Sequence, residues 1–171
     1  METRPADTTA PERLLELAVQ KVDGVFVERF GARLFKDHSA ESDIYRCVHR
    51  FTSVNENGFY RLMKDLTRFC VERLDQQQLK LLTQSTDKNL GSLKRLEQIL
   101  NDCGTNGRES VRELVGIYEL RHSDSHLPSS DVGTAMTLLG VSPEHSPMLR
   151  AKRAIESVAS CFLRIAEILK N

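Results

Sequence analysis

The longest unbroken helical pattern in the chain is SPMLRAKRAIESVASCFLRIAEILKN, residues 146–171. Its apolar residues recur every three or four positions, which is the spacing of one face of an α-helix. Ser146 followed by Pro147 is a typical helix start, because a serine caps free N–H groups and a proline suits the first turn. We therefore predict one amphipathic helix running almost to Asn171. Its buried face comprises Ile155, Val158, Phe162, Ile165 and Leu169.

Nearly every other segment has the same helical period, and none has a convincing period of two. Thr9 with Glu12 three residues later resembles a capping box that opens the first helix. Further helices are predicted over 39–51, 59–74 and 87–102, from Asn106 onwards, and in a short segment ending at Leu139, while 76–86 is ambiguous. We expect an all-α domain, a helical bundle of about five to seven helices.

The apolar stripes of these helices predict the core. In the first helix the stripe consists of Leu14, Leu17, Ala18, Val22, Val25, Phe26 and Phe30. In the second helix it consists of Ile44, Cys47, Val48 and Phe51. Such stripes are explained by core packing and need no cofactor pocket.

Length and composition fit a single domain with a sizeable core. The 171 residues divide into a flexible tail over 1–9 and one helical domain over 10–171. Lys plus Arg and Asp plus Glu both number 24, so the net charge is zero. This balance argues against a protein that coats nucleic acid through bulk charge, although a local basic site is compatible with it. The absence of tryptophan argues against a broad stacking platform for single strands.

Four scattered cysteines and the lack of long apolar runs indicate the compartment. Cys47, Cys70, Cys103 and Cys161 contain no C-x-x-C pair, and three of them lie in apolar helical patterns that predict buried, reduced thiols. No apolar run approaches the length of a membrane span, and residues 1–9 lack a signal-peptide core. We expect a cytoplasmic protein without membrane contact.

The candidate functional stretch is RHSDSH, residues 121–126, which follows the helix pattern of Val111, Val115 and Tyr118. If that helix continues at about 100° per residue, His122 and Ser125 fall on its apolar face. Arg121 and His126 then fall on the two flanks of that face. Polar groups that continue a buried stripe are costly unless they have partners, so this placement indicates a cleft or a subunit interface.

These residue types suit cleavage of a phosphodiester. Arginine offers a planar, permanently charged fork that matches a phosphate, and histidine titrates near neutral pH and can transfer a proton. In RNA the 2′-hydroxyl can act as the internal nucleophile, so the reaction needs a base, an acid and a cation but no metal.

The motif resembles the R-x4-H signature of the HEPN superfamily, named for higher eukaryotes and prokaryotes nucleotide-binding. Arg121 and His126 match its two ends, and His122 is of a type common after the arginine. The resemblance implies a helical bundle and a metal-independent endoribonuclease without a cofactor, acting on RNA as a toxin or in phage defence. It also implies a homodimer with one composite site, and an antitoxin or a larger defence assembly as partner. The superfamily also contains inactive members that serve as scaffolds for dimerisation or for binding partners and nucleotides.

By position, the resemblance makes His126 the general acid or base and Arg121 the group that holds the scissile phosphate. His122 would orient the site or bind the substrate. Asp124 and Ser125 have no firm counterpart, although Asp124 could orient a histidine.

Other interpretations of the same residues stay open. His122 and His126 lie one helical turn apart and could bind a metal with Asp124, if His38, His49 or His145 supplied a further ligand, although we expect no metal. The stretch could also be only the polar end of a helix that stops before Pro128. A Ser-His-Asp hydrolase is excluded, because no nucleophile elbow or α/β pattern is present.

Separately, a basic group on the last helix could steer RNA, although a solvated helix face explains it as well. That group consists of Arg150, Lys152 and Arg153.

Overall fold

The all-α prediction is confirmed in a computed structural model that describes residues 9–37, 41–83, 89–121 and 129–171. Within these ranges the chain forms nine α-helices, a 3-10 helix over Arg50–Thr52 and a π-helix over Arg68–Glu72. The α-helices are α1 (Pro11–Phe30), α2 (Glu41–Cys47), α3 (Glu56–Thr67), α4 (Gln76–Leu82), α5 (Ser92–Asp102), α6 (Gly107–Ser110), α7 (Arg112–Leu120), α8 (Ser129–Leu138) and α9 (Pro147–Lys170). Helices outnumber the prediction because the ambiguous segment forms α4 and the helix that starts after Asn106 breaks in two.

The helix starts that depend on local capping follow the prediction. Ser146 caps α9, where its hydroxyl accepts from the Leu149 N–H at 3.4 Å. Asn106 caps α6, where its side chain accepts from the Glu109 N–H at 3.1 Å. In both cases a short polar side chain satisfies an N–H group that the first helical turn leaves without a partner.

The predicted capping box at Thr9 is wrong. The N-cap of α1 is Ala10, which makes no side-chain cap, and Pro11 supplies the start. Glu12 turns instead to a distant segment, where it accepts from the backbone N–H of Arg50 at 3.0 Å and pairs with the Arg50 guanidinium. A buried carboxylate gains more from this charged pair than from the N–H of its own helix end.

The long helices α1 and α9 pack along each other and form the centre of the core. Their C-terminal ends meet, because Arg29 donates to the Leu169 carbonyl at 2.7 Å and Lys21 pairs with Glu167 at 2.6 Å. All five predicted core residues of α9 are buried. In α1, Leu17 is exposed, so its predicted burial is wrong. It lies about 140° around the helix from the centre of the buried face.

The predicted helix over 39–51 is shorter than expected. It ends at Cys47, and a 3-10 helix follows, in which the His49 ring accepts from the Phe51 N–H at 3.3 Å. As a result Cys47 and Phe51 are exposed, and their predicted burial is wrong. The 3-10 helix lies close to Gly58 in α3, where an added Cβ would sit 3.1 Å from the Ser53 Cα, so only glycine fits there.

The turn after α1 is fastened by a buried carboxylate. Asp23 accepts from the backbone N–H groups of Leu34 and Phe35, at 2.8 and 3.2 Å, and from Arg33 Nε at 2.8 Å. Phe35 then forms an isolated antiparallel bridge with Leu74. This bridge fixes the segment that directly follows the π-helix and so positions its last residues.

The helix that leads to the candidate motif breaks at Val111 into α6 and α7. The break occurs where α9 captures a backbone carbonyl: Cys161 Sγ and Arg164 Nη2 both donate to the Ser110 oxygen, at 3.3 and 3.2 Å. A carbonyl engaged from the side is drawn out of the regular helical ladder. The path of α7 is thereby set by α9.

Neighbouring helices hold α7 on two further sides. The Thr67 hydroxyl of α3 donates to the Ile117 carbonyl at 3.0 Å. On the α8 side, a Cβ added to Gly116 would lie 2.9 Å from Leu139 Cγ and 3.0 Å from the Ala135 oxygen, so the two helices approach closely. The end of α7, where the candidate motif begins, therefore has a fixed position.

The buried apolar residues form one continuous cluster. This agrees with a single domain, although the boundaries predicted at residues 9 and 10 stay a prediction. Among the helices described above, none is both long and apolar enough to cross a membrane.

Candidate functional site

Arg121 is the one residue of the RHSDSH stretch that the described ranges include. It is the C-cap of α7, with helical backbone angles and its N–H donating to the Ile117 carbonyl at 3.1 Å. Its side chain is 21% exposed. His122, Asp124, Ser125 and His126 lie outside the described residues. The roles predicted for these four residues stay predictions.

Among the described residues, Glu72 and Tyr118 contact the Arg121 guanidinium. Nη1 lies 3.2 Å from Oε1 of Glu72, and the guanidinium carbon stacks 3.7 Å from the centroid of the Tyr118 ring. Glu72 is half exposed, and an ion pair of that kind contributes only about 0–1 kcal/mol. A cation–π contact at a partly exposed site adds about 0.5–1 kcal/mol. These contacts orient the guanidinium but are weak enough for a phosphate to replace the carboxylate.

Glu72 occupies this position because it ends the π-helix Arg68–Glu72. A π-turn carries one more residue than an α-turn and often occurs at functional sites. We did not identify Glu72 from the sequence. The sequence feature that could have indicated the π-helix is the run of three apolar residues Phe69, Cys70 and Val71. All three are buried, whereas a regular α-helix would not bury three consecutive residues equally.

A groove lies beside Tyr118, between the start of α5 and the end of α7, and we call it the α5–α7 groove. Its volume is about 350 Å³. Apolar or aromatic side chains that line it are Val71, Leu93, Val115 and Tyr118. Polar residues that line it are Gln76, Ser92, Lys94, Glu97, Arg108 and Glu119. Tyr118 therefore belongs both to the groove and to the contact that holds Arg121.

Two cations in the groove share one carboxylate. Lys94 Nζ lies 2.9 Å from Glu97 Oε2, and Arg108 Nη1 lies 3.8 Å from the same oxygen. Lys94 and Arg108 are 53% and 56% exposed, whereas Glu97 is only 15% exposed. The group therefore carries one excess positive charge, presented by the two side chains that can reach solvent.

Arg150 does not belong to the exposed basic group that was predicted on α9. The Arg150 side chain is 3% exposed, pairs with Glu56 and stacks 4.8 Å from the Phe59 ring centroid. It is a buried structural arginine that ties α9 to α3, so its assignment to an exposed RNA-steering surface is corrected. Lys152 and Arg153 are exposed, as a steering surface requires.

The alternative metal site gains no support from the residues that can be placed. Across 9–37, 41–83, 89–121 and 129–171, no three His, Cys, Asp or Glu side chains converge as metal ligands do. The His49 ring is engaged by the Phe51 N–H, and His38 lies outside the described residues, as do His122 and His126.

The cysteine thiols differ in their environments. Cys70 and Cys161 are buried, Cys103 is half-buried and Cys47 is exposed, and none of the four forms a disulfide. Burial raises the pKa of the Cys70 thiol and, together with nearby Glu113, raises the pKa of Cys161. Both buried thiols therefore stay protonated at neutral pH, which suits packing and opposes nucleophilic chemistry.

Comparison with protein-family models, curated proteins and solved structures found no match for this chain.

Proposed function

We propose that this chain is a metal-independent endoribonuclease of the HEPN type. The observation that carries the proposal is the position of Arg121: the end of α7 holds it, partly exposed, against Tyr118, which lines a groove of about 350 Å³. The R-x4-H spacing of Arg121 and His126 and the all-α fold add to this support. The biological setting would be a toxin or a phage-defence ribonuclease, controlled by an antitoxin or held in a larger assembly.

In the proposed reaction the 2′-oxygen of RNA attacks the adjacent phosphorus, and the bond from phosphorus to the 5′-oxygen breaks. The proton of the 2′-hydroxyl passes to a general base, and a general acid protonates the leaving 5′-oxygen. His126 of two protomers could fill these two roles in a composite site. The Arg121 guanidinium would neutralise the phosphate oxygens as charge builds on them, and His122 would orient the site. The products are a 2′,3′-cyclic phosphate and a 5′-hydroxyl.

The second candidate is an inactive HEPN-like scaffold. A specific observation favours it: the Arg121 guanidinium already contacts Glu72 and Tyr118, as a purely structural arginine does. In that case the helix end would serve dimerisation or the binding of a partner, with no chemistry.

A ribonuclease assay in EDTA separates the two candidates. The proteins are wild type, Arg121→Ala, His126→Ala and, as a matched control, Arg46→Ala, which removes an exposed arginine whose partner is the neighbouring Asp43. We expect wild type and Arg46→Ala to cleave a mixed RNA substrate to cyclic phosphate ends. We expect the other two variants to be inactive, with unchanged thermal unfolding. Equal cleavage by all four proteins would eliminate the proposed site, and no cleavage by any of them would favour the scaffold.

A further inference from the structure

We propose that the α5–α7 groove binds a nucleotide next to the scissile phosphate, with the base against Tyr118 and the nucleotide's own phosphate on Lys94 and Arg108. The inference rests on the proposed ribonuclease function and extends it to a site that specifies single-stranded RNA. Three observations carry it: the size of the groove, the charge of its rim and its connection to Arg121.

The groove has the size and lining of a site for one flat ligand. Its volume of about 350 Å³ lies near the lower end of ligand pockets, which span about 300–1,000 Å³. Leu93 and Val115 supply apolar surface, and Tyr118 supplies an aromatic ring. A nucleobase stacks on such a ring whatever its sequence, because every base has a π-face. A duplex would not enter a space of this size, so the ligand would be an unstacked base.

The rim of the groove carries charge that suits a phosphate. Lys94 comes from α5 and Arg108 from α6, and both point to the single carboxylate of Glu97. A phosphate that approached them would meet one excess positive charge and would exchange with Glu97 as their partner. Arg108 adds a planar fork that can donate two bonds to one phosphate. Glu119 of α7 is exposed and also lines the groove, so a phosphate would be repelled from α7. The strand would therefore run along the Lys94 and Arg108 side.

Tyr118 connects the groove with the proposed reaction centre. The Arg121 guanidinium occupies one face of the Tyr118 ring at 3.7 Å, and Tyr118 also lines the groove, so a base would contact the rest of the ring. An RNA base bound against Tyr118 would therefore lie within one nucleotide of a phosphate on Arg121. This arrangement would fix the register of the strand at the bond to be cut.

The chain has no tryptophan, which permits a direct test of the groove. Tyr118→Trp places a single tryptophan there and retains an aromatic ring. The probe is a 2′-O-methyl oligoribonucleotide, which cannot be cleaved because its 2′-oxygen carries no proton. We expect saturable quenching of the tryptophan fluorescence on titration. The same titration followed by anisotropy of a labelled oligonucleotide reports on the protein with Tyr118 intact, in case the tryptophan variant folds poorly.

The decisive variants neutralise the rim. Lys94→Gln combined with Arg108→Gln removes the two cations that hold one phosphate, so the slope of log K against log salt should decrease in magnitude by about 0.7. At about 0.1 M salt this change corresponds to an affinity loss of about fivefold. Both side chains are more than half exposed, so the fold should be unaffected. The matched control, Lys36→Gln with Arg46→Gln, removes the same charge from two exposed positions that do not line the groove, and it should alter affinity less than twofold.

The outcomes separate this inference from the proposed function. If the protein binds the oligonucleotide through Lys94 and Arg108 but cleaves no RNA, the nucleotide site in the groove is supported and the proposed ribonuclease activity is contradicted. If the protein cleaves RNA but the variant with Lys94→Gln and Arg108→Gln binds as tightly as wild type, only the nucleotide site in the groove is contradicted. Absence of saturable binding, or an equal loss in the Lys36 and Arg46 control, would also overturn the inference.

Discussion

Replacing Gly107 by alanine should destabilise the protein, because its steric cost exceeds the stability that alanine gains over glycine in a helix. Gly107 begins α6 and packs against the backbone of α5: an added Cβ would lie 2.9 Å from the Glu97 carbonyl carbon and closer still to its oxygen. Carbon atoms in contact prefer about 3.5–4.0 Å, so one of the two backbones must shift by at least about 0.6 Å. The glycine N–H also donates to Asn101 Oδ1 at 2.8 Å, and that bond moves with it.

The cost can be approximated from these contacts. Overpacking against a rigid backbone lies at the upper end of about 1–3 kcal/mol, and a weakened hydrogen bond adds about 1 kcal/mol. Allowing for up to about 1 kcal/mol gained from alanine in a helix, the free energy of unfolding should fall by about 3 kcal/mol. For a chain of this length the midpoint of thermal unfolding should fall by about 6–12 °C.

The matched control is Gly24→Ala in α1. Apart from the adjoining part of α1 itself, no described residue has an atom within 4 Å of a Cβ added there, and Gly24 is in the middle of a helix. This change should stabilise the protein by about 0.5–1 kcal/mol, so the two glycine variants should move in opposite directions. Urea unfolding followed by far-UV circular dichroism measures both. A Gly107→Ala variant within about 0.5 kcal/mol of wild type would refute the argument, because that is the range of a neutral surface change.

Three other predictions concern the site and the thiols. Glu72→Gln removes the carboxylate that competes with RNA for Arg121, so the KM for RNA should fall. The decrease should be at most about fivefold, because an exposed ion pair contributes at most about 1 kcal/mol. A raised KM would show that Glu72 positions the arginine instead. A thiol reagent should label Cys47 rapidly in the native protein and Cys70 and Cys161 only on unfolding; fast labelling of either buried thiol would contradict their burial. Stability should fall as pH rises through the ordinary thiol pKa of 9.0, because the raised pKa keeps both buried thiols protonated while the unfolded thiols ionise. In the double variant with alanine at both buried cysteines, stability should decrease less steeply with rising pH. An unchanged slope would show that other groups cause the decrease.

The parts of the fold that depend on local chemistry could be predicted from the sequence. Ser146 caps the helix that it was expected to cap, and Asn106 caps the helix predicted to begin there, because a capping bond spans only three residues. The burial of the α9 stripe followed for the same reason, since its period is a property of a single helix.

Features that depend on distant partners could not be predicted. The partner of Glu12 is Arg50, and the partner of Arg150 is Glu56, 94 positions away. Local pattern therefore suggested a capping box for Glu12 and an exposed basic face for Arg150. The π-helix over Arg68–Glu72 has the same origin, because it packs against α2 and α7 and leads directly into the bridge between Phe35 and Leu74. Lys94 and Arg108 form one charged group only because α5 and α6 pack together.

Burial separates the structural arginines of this chain from the one proposed to bind phosphate. Arg95 is buried and donates to the Leu90 carbonyl and the Thr83 hydroxyl at 3.1 and 3.0 Å, and Arg150 is buried against Glu56. Moving either guanidinium out to a ligand would break its buried contacts, at a cost of about 1–3 kcal/mol for each buried polar group left without a partner. Arg121 would keep its stacking contact if Glu72 were displaced, and the half-exposed carboxylate would return to water. Of its contacts with described residues, the proposed binding of a phosphate would therefore cost Arg121 only the exposed pair with Glu72.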